Sequence, residues 1–222
     1  MGSALSDLPL RDPVSSLTHL VASVFAAYVT LLLWRLARGD RTKRLSLACF
    51  GATAVVLYAA SGTYHAIRLP TDSPTVELFR RLDHSAIYLL IAGTYTAVGL
   101  LSLHGILQKT VLAVVWAGAL AATVVKFCWV DAPKWLSAMI GVALGWVGVA
   151  ALPQLEDSAG PAAVALLAAG GVAYTVGAVV YARRRPDPVP AVFGYHELFH
   201  ALTLLAIACQ YVAIAFFVVR SG

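Results

Sequence analysis

Long apolar stretches recur along almost the whole chain, and only short polar segments separate them. A helix of roughly 20 residues is long enough to cross the hydrocarbon layer of a membrane. The pattern predicts seven such helices over about residues 14–36, 44–68, 77–102, 106–127, 133–152, 161–183 and 195–219. We therefore expect an all-α integral membrane protein in which residues 1–222 form one domain, a seven-transmembrane helix bundle.

The composition supports this prediction and narrows the choice of partners. Hydrophobic residues make up 60% of the chain and charged residues only 12%, whereas charged residues make up about 25% of a soluble domain. The net charge is +5, but the basic residues cluster at the ends of spans, where they meet lipid headgroups. We therefore expect membrane lipids as partners and no nucleic acid.

Several ionisable residues lie inside the predicted spans, all near one side of the membrane. His65 lies near the end of the second span, Asp83 and His84 near the start of the third, and His196 and His200 near the start of the seventh. In an up-and-down bundle, the end of an even span and the start of an odd span share one side. Because such residues are costly in lipid, they indicate a functional interior at this depth.

The histidines in this layer have a spacing that suits a metal ion. His196 and His200 are four residues apart and so share one face of a helix, and His65 would complete a set of three imidazole ligands. Catalytic zinc commonly has three protein ligands, and imidazole suits Zn²⁺. A single histidine in a membrane helix more commonly forms a hydrogen bond between helices. The group of three, with Ser61 and Asp83 at the same depth, favours a metal site.

Two interpretations of Asp83 remain open from the sequence. It could form an ion pair with Arg80 or Arg81 at the start of the helix, or it could hold or deprotonate a water molecule at the metal. His84 points about 100° away from Asp83 around the helix, so we leave it out of the metal site. His19 and His104 lie near the ends of spans or loops, and we expect both to be interfacial.

Residues 196–200 also match the H-E-x-x-H pattern of zinc metalloproteases, in which Glu197 would be the general base. Such proteases take their third ligand from a downstream Glu, Asp or His, and residues 201–222 contain none of these. The chain also has no length left for a structure that presents a peptide. An intramembrane zinc protease is therefore the least favoured function.

Three blocks of sequence, "SGTYH" at 61–65, "RLDHSAIYLLIAGTYT" at 81–96 and "YHELFH" at 195–200, closely resemble the signature motifs of the bacterial hemolysin III family. That family is grouped with the progestin and adipoQ receptors and, more distantly, with the alkaline ceramidases. The resemblance implies a fold of the adiponectin-receptor type and one zinc ion held by His65, His196 and His200. It places Ser61 and Asp83 beside the zinc and implies that Glu197 is not the base.

The resemblance also implies a location and a function. We expect a multi-pass protein of a bacterial plasma membrane with the zinc side in the cytoplasm, where nine basic residues lie against seven on the other side. The expected function is to act on or sense membrane lipids, in membrane homeostasis. As a hydrolase of a lipid amide or ester, the protein would use Asp83 to take a proton and Ser61 to hydrogen-bond substrate or water. The lipid would reach the site sideways through the bundle.

Two other functions remain open. Zinc could be structural in a protein that binds lipid without turnover, or the protein could form a haemolytic pore. A wide pore requires spans with a polar face, but the first, fourth, fifth and sixth spans are almost wholly apolar. They also contain small residues that are typical of close helix packing, namely Gly141, Gly145, Gly148, Gly170, Gly171 and Gly177.

Overall fold

The computed structural model describes residues 9–190 and 192–221. Within these residues, seven helical segments are long and apolar enough to cross a membrane, as predicted. The first four are α1 (Pro13–Leu36), α2 (Arg41–Ala66), α3 (Pro74–Ser102) and α4 (Gly105–Cys128). Consecutive helices pack against each other, and the last long helix contacts α1 and thereby closes the bundle. The predicted fold class, an all-α seven-transmembrane bundle, is confirmed.

The fifth span, Lys134–Ala159, is a composite helix. It consists of α5 (Lys134–Trp146), a 3-10 segment (Val147–Ala151) and α6 (Leu152–Ala159). Pro153 has no N–H to donate to the carbonyl of Val149, and its ring crowds that carbonyl, which explains the irregular turn before α6. The span therefore extends to Ala159, beyond the boundary near residue 152 that hydropathy predicts.

The connection between the last two spans lies at the end of the bundle where the sequence predicts the metal site. Helix α7 (Pro161–Arg183) is followed by a short connection and then by α8 (Tyr195–Ala213). Helix α8 continues through a π-helical segment (Ile214–Val218) into the short α9 (Val219–Ser221). On the opposite side, the Lys43 ammonium donates a hydrogen bond to the Val219 carbonyl at 2.8 Å, which ties the end of the chain to the start of α2.

Helix packing is uneven across the bundle. In the most apolar stretch of α3, 72% of the residues are buried, whereas in that of the fifth span only 6% are buried. Helices α1 and α2 approach closely at Gly62, where a Cβ atom would lie 2.9 Å from the backbone nitrogen of Leu20. Close packing is also found at three of the six predicted glycines, Gly148, Gly170 and Gly177.

The prediction of close packing is wrong for the other three glycines, Gly141, Gly145 and Gly171. A Cβ atom at any of them would meet no atom within 4 Å. All three line an internal cavity of about 260 Å³. They leave space inside the bundle where the sequence pattern indicated contact between helices.

Candidate metal centre

The three predicted ligands meet at one end of the bundle. The last turn of α2 carries His65, and the first two turns of α8 carry His196 and His200. One ring nitrogen from each histidine lies within 4.8 Å of the corresponding atom of the other two. Nε2 of His65 and Nε2 of His196 are 3.1 Å apart. This is close to the value of about 3.3 Å expected for two imidazole ligands of a tetrahedral zinc with Zn–N bonds near 2.0–2.1 Å.

The donor set therefore fits a metal ion, and three imidazoles suit zinc in particular. His65 and His200 are buried, with 4% and 3% of their surface exposed. A hydrogen bond between the two facing nitrogens uses the lone pair of only one of the two imidazoles. A cation between the rings would bind the lone pairs of both. The clustering of His65, His196 and His200 that the sequence predicts is confirmed as a group that could hold a metal.

Asp12 holds the His65 ring from the side away from the cluster. Its Oδ2 lies 2.8 Å from His65 Nδ1, and its backbone N–H donates to the His65 carbonyl at 3.0 Å. An ionised carboxylate only accepts hydrogen bonds, so His65 carries its proton on Nδ1 and presents the Nε2 lone pair to the cluster. A carboxylate behind a ligand histidine is the usual arrangement in zinc proteins, where it fixes the ring and raises its basicity.

The charge on Asp12 is supported by its surroundings. Partial burial acts to raise the pKa of the Asp12 carboxyl, but hydrogen bonds with His65 and Arg11 outweigh it and leave this pKa below its ordinary value. Arg11 Nε donates to Asp12 Oδ2 at 3.0 Å, and its guanidinium stacks on the Tyr64 ring. The segment before α1 is thereby anchored to the end of α2.

Asp83 lies in α3 and is buried, with 6% of its surface exposed. The ion pair with Arg80 or Arg81 that the sequence left open is not found, because Arg80 binds Asp131 and Arg81 binds Glu77. Among the described residues, the one possible ion-pair partner of Asp83 within 4.0 Å is the His84 ring, at 3.9 Å, and that ring is charged only when it is protonated. Asp83 therefore has no structural salt bridge that would account for its burial.

Ser61 lies one turn before His65 on α2, and its buried hydroxyl lies near the Asp83 carboxyl but forms no hydrogen bond of ordinary geometry among the described residues. Ser61 and Asp83 both line the internal cavity, together with His196 and His200. Buried polar groups without partners are uncommon in folded proteins. Both residues border the space that a ligand in this cavity would occupy.

His19 is a member of the site that the sequence prediction placed wrongly at the interface. It is buried, and its ring stacks on His200 with centroids 3.8 Å apart and an interplanar angle of 10°. Both of its ring nitrogens are buried without a hydrogen-bond partner among the described residues. His104, in contrast, is exposed at the start of α4.

The sequence contained the signal for both missed residues. The start of the first span lies on the same side of the membrane as the end of the second, so the argument that groups His65 with His196 applies equally to Asp12 and His19. Asp12 directly precedes Pro13, the first residue of α1. A carboxylate at that point is in reach of the end of α2.

Glu197 has a structural role at the start of α8. Its Oε2 accepts a hydrogen bond from the Gly194 N–H at 3.0 Å, and its Oε1 accepts one from the Ser15 hydroxyl at 2.8 Å. The first contact is half of a capping box, which satisfies backbone donors at a helix start. Both carboxylate oxygens are therefore occupied by protein groups, as expected if Glu197 is not the base of a protease.

The cavity extends from the polar cluster into the apolar interior of the bundle. Its polar end includes Ser61, Asp83, His84, His196 and His200, and most of its remaining lining is apolar. The apolar lining comes from α3, the fifth span and α7, with Leu90, Val142 and Leu167 as examples. A long apolar cavity with convergent polar groups at one end matches the shape and chemistry of an amphiphile.

Comparisons with known proteins agree with this architecture. A family model described as "Haemolysin-III related" matches residues 9–211. The chain is 31% identical over 212 residues to a protein named "Hemolysin-3 homolog" from Bacillus subtilis (strain 168), an alignment that covers 95% of each chain. It is 30% identical over 214 residues to "Hemolysin-3" from Bacillus cereus, covering 96% of this chain and 94% of the relative.

Proposed function

Because this chain belongs to the Haemolysin-III related family of membrane proteins, we propose that it is a zinc-dependent hydrolase of an amide or ester bond in a membrane lipid. One observation carries the proposal. Three histidines that could hold a metal converge at the polar end of an apolar cavity, beside a buried serine hydroxyl and a buried carboxylate. The cavity suits an acyl chain, and the polar end suits the headgroup linkage.

Each residue has a role in this proposal. His65, His196 and His200 hold the zinc, and Asp12 orients His65. When bound, zinc would polarise a carbonyl oxygen and lower the pKa of a water molecule. Asp83 accepts the proton of the attacking water and returns it to the departing amine or alcohol. Ser61 donates a hydrogen bond to the substrate carbonyl or to the water, and the apolar lining excludes other water molecules.

The proposal includes the route of the lipid and the orientation of the protein. The fifth span is the least buried of the seven and lines the cavity, which supports sideways access of a lipid from the membrane. We place the protein in a bacterial plasma membrane with the metal end in the cytoplasm. The relatives from Bacillus support a bacterial membrane, and the nine-to-seven distribution of basic residues supports the orientation.

A second candidate is a lipid-binding protein in which zinc is structural. The contact between His65 and His196 connects α2 with α8, so a metal there would link two helices far apart in the sequence and stabilise the bundle. A haemolytic pore has less support, because the cavity is lined mainly by apolar side chains. Release of a trapped dye from liposomes by the purified protein, without zinc, would favour the pore.

The first test is the metal content of the purified chain, measured by mass spectrometry. We expect about one zinc per chain in the unaltered protein, since three histidines make one site, and none in His65→Ala or His200→Ala. His104→Ala is the matched control, because His104 is exposed at the start of α4, and it should keep its zinc. Zinc retained in both site variants would overturn the metal centre.

The second test separates catalysis from a structural zinc. Lipid amides and lipid esters are incubated with the unaltered protein and with Asp83→Asn, and released fatty acid is measured. The hydrolase proposal requires turnover by the unaltered protein that falls by at least roughly 100-fold in Asp83→Asn, with zinc content unchanged. Turnover that survives the substitution would remove Asp83 from the mechanism. Full zinc content without any turnover would favour the structural role.

A further inference from the structure

Lys126 is a buried cation at the metal end of the cavity that the proposed mechanism does not use. It lies in the last turn of α4, and only 5% of its surface is exposed. Its ammonium donates one hydrogen bond, at 2.7 Å, to the Val130 carbonyl, and it forms no salt bridge with a carboxylate of the described residues. An ammonium has three protons to donate. A buried charge without a counter-ion is costly.

A second polar group in the same part of the cavity lacks a partner. Both Lys126 and His84 line the cavity, Lys126 from the last turn of α4 and His84 from the part of α3 that lies at the same end of the bundle, and the two helices pack against each other. His84 Nδ1 is buried without a hydrogen-bond partner among the described residues. Neither residue belongs to the histidine cluster that could hold a metal. The two side chains therefore offer hydrogen-bond donors to a ligand at a place distinct from that cluster.

The charges around this place favour an anion. Arg80 and Lys134 add positive charge near Lys126, and Asp131 is exposed and already paired with Arg80. Lys134 directs its ammonium to the Tyr195 hydroxyl and over the Tyr181 ring rather than to a carboxylate. The other carboxylate at this end of the cavity is Asp83, which lies 3.9 Å from Nε2 of His84 and not on the side of Nδ1. One buried carboxylate and one exposed one thus compensate the three positive charges only in part. The position of Lys126 at the end of a membrane span is also the depth at which lipid phosphates lie.

We propose that Lys126 and His84 form a binding site for the phosphate group of a membrane lipid whose acyl chain occupies the apolar cavity. Lysine is a common phosphate ligand that acts as a point charge, and the phosphate oxygens would receive the remaining ammonium protons and the His84 Nδ1–H. This inference rests on the proposed function only in that it names the class of lipid for the same cavity. The site would bind lipids that carry a phosphate group in preference to neutral lipids.

The test uses the full chain in non-ionic maltoside micelles, titrated with dodecyl phosphate, dodecanol or inorganic phosphate and followed by native mass spectrometry. We expect the unaltered protein to bind dodecyl phosphate roughly tenfold or more tightly than dodecanol, as a charge-assisted hydrogen bond would give. Inorganic phosphate should bind far more weakly, because it lacks the chain. Equal affinity for dodecyl phosphate and dodecanol would overturn the inference without any variant, and binding of inorganic phosphate as tight as that of dodecyl phosphate would overturn its lipid part.

Variants locate the phosphate. Lys126→Met should abolish the preference for dodecyl phosphate and leave dodecanol binding and zinc content unchanged, whereas Lys126→Arg should retain most of it. Lys109→Met is the matched control, an exposed lysine at the other end of α4, and should behave as the unaltered protein. A preference that persists in Lys126→Met would show that this residue only caps α4 through Val130.

One further variant separates this inference from the proposed function. In His65→Ala, which should lack zinc, the preference for dodecyl phosphate should persist, since neither Lys126 nor His84 is a metal ligand. Loss of the preference in His65→Ala but not in Lys126→Met would mean that the phosphate binds the metal, and the inference would fail while the zinc site stood. If the unaltered protein holds no zinc but keeps a Lys126-dependent preference, the hydrolase proposal fails and the phosphate site remains.

Discussion

The two sides of the cavity differ in how closely their helices are packed. The ligand side, formed by α1, α2, α3 and α8, supplies the three histidines together with Asp12, Ser61 and Asp83. The cavity wall, formed by the fifth span and α7, supplies mainly apolar lining. The contrast is largest between α3 and the fifth span. In their most apolar stretches, 72% of the residues are buried in α3 and 6% in the fifth span.

The difference follows from what each side must do. Metal ligands have to be fixed within about 0.5 Å of their working positions, and close helix packing with hydrogen bonds behind the ligands provides this. A wall that admits a lipid needs space and few fixed contacts. The glycines show the same division, because Gly62 in α2 is in close contact with α1, whereas Gly141 in α5 faces open space.

Removal of the carboxylate behind His65 should have the largest effect on the ligand side. Asp12→Asn removes the negative charge that fixes the His65 ring and raises its basicity, and we expect zinc affinity to fall by about 10- to 100-fold. Competition with a chromophoric chelator measures this affinity. Asp72→Asn is the control, since Asp72 is exposed on the same side of the membrane and should leave the affinity unchanged. Equal affinities in the two variants would remove Asp12 from the metal site.

The contrast in packing can be tested with the same substitution on both sides of the cavity. Gly62→Ala places a Cβ atom 2.7 Å from the Leu20 side chain and 2.9 Å from its backbone nitrogen. Because α1 must shift, the free energy of unfolding should fall by about 1–3 kcal/mol. Gly141→Ala meets no atom within 4 Å and should be neutral or stabilise by up to about 1 kcal/mol, as replacing a helical glycine does.

Denaturation in maltoside micelles compares the two alanine variants directly. A loss of stability in Gly141→Ala as large as that in Gly62→Ala would mean that the fifth span is packed as tightly as the ligand side. The comparison between the two sides would then be wrong. A second readout is zinc content, which Gly62→Ala should lower more than Gly141→Ala because Gly62 lies one turn before His65 on α2.

Hydropathy and spacing predicted most of the fold and the ligand cluster, for definite physical reasons. Crossing a membrane demands long apolar helices, so the seven spans are visible in the sequence. The spacing of His196 and His200 fixes their common face, and the alternating direction of the spans brings His65 to the same end. The end of a span is harder to predict where a proline interrupts the helix inside the span, as Pro153 does in the fifth span.

Other features depend on neighbours that a linear pattern does not contain. The orientation of Gly141 into a cavity and of Gly62 against Leu20 is set by the rotation of whole helices, and both positions look alike in sequence. Asp12 and His19 differ from these glycines, because the alternating direction of the spans that brings His65 near His196 also brings the start of the first span to that end of the bundle. The salt bridge considered for Asp83 was excluded only by the observed partners of Arg80 and Arg81.

The smallest effect is expected at the residue whose sequence pattern pointed most directly to catalysis. Glu197→Gln keeps the shape of the side chain, and glutamine can also complete a capping box. We therefore expect a loss of less than about 1 kcal/mol in stability, unchanged zinc content and unchanged hydrolysis of any lipid that the protein cleaves. The measurements are denaturation in micelles, metal analysis and fatty acid release, with Asp83→Asn beside it as the variant that should lose hydrolysis. In the opposite result, Glu197→Gln would keep its zinc but lose hydrolysis, and Asp83→Asn would keep hydrolysis. Glu197 would then be the general base, and the interpretation of residues 196–200 as a metalloprotease motif would be restored.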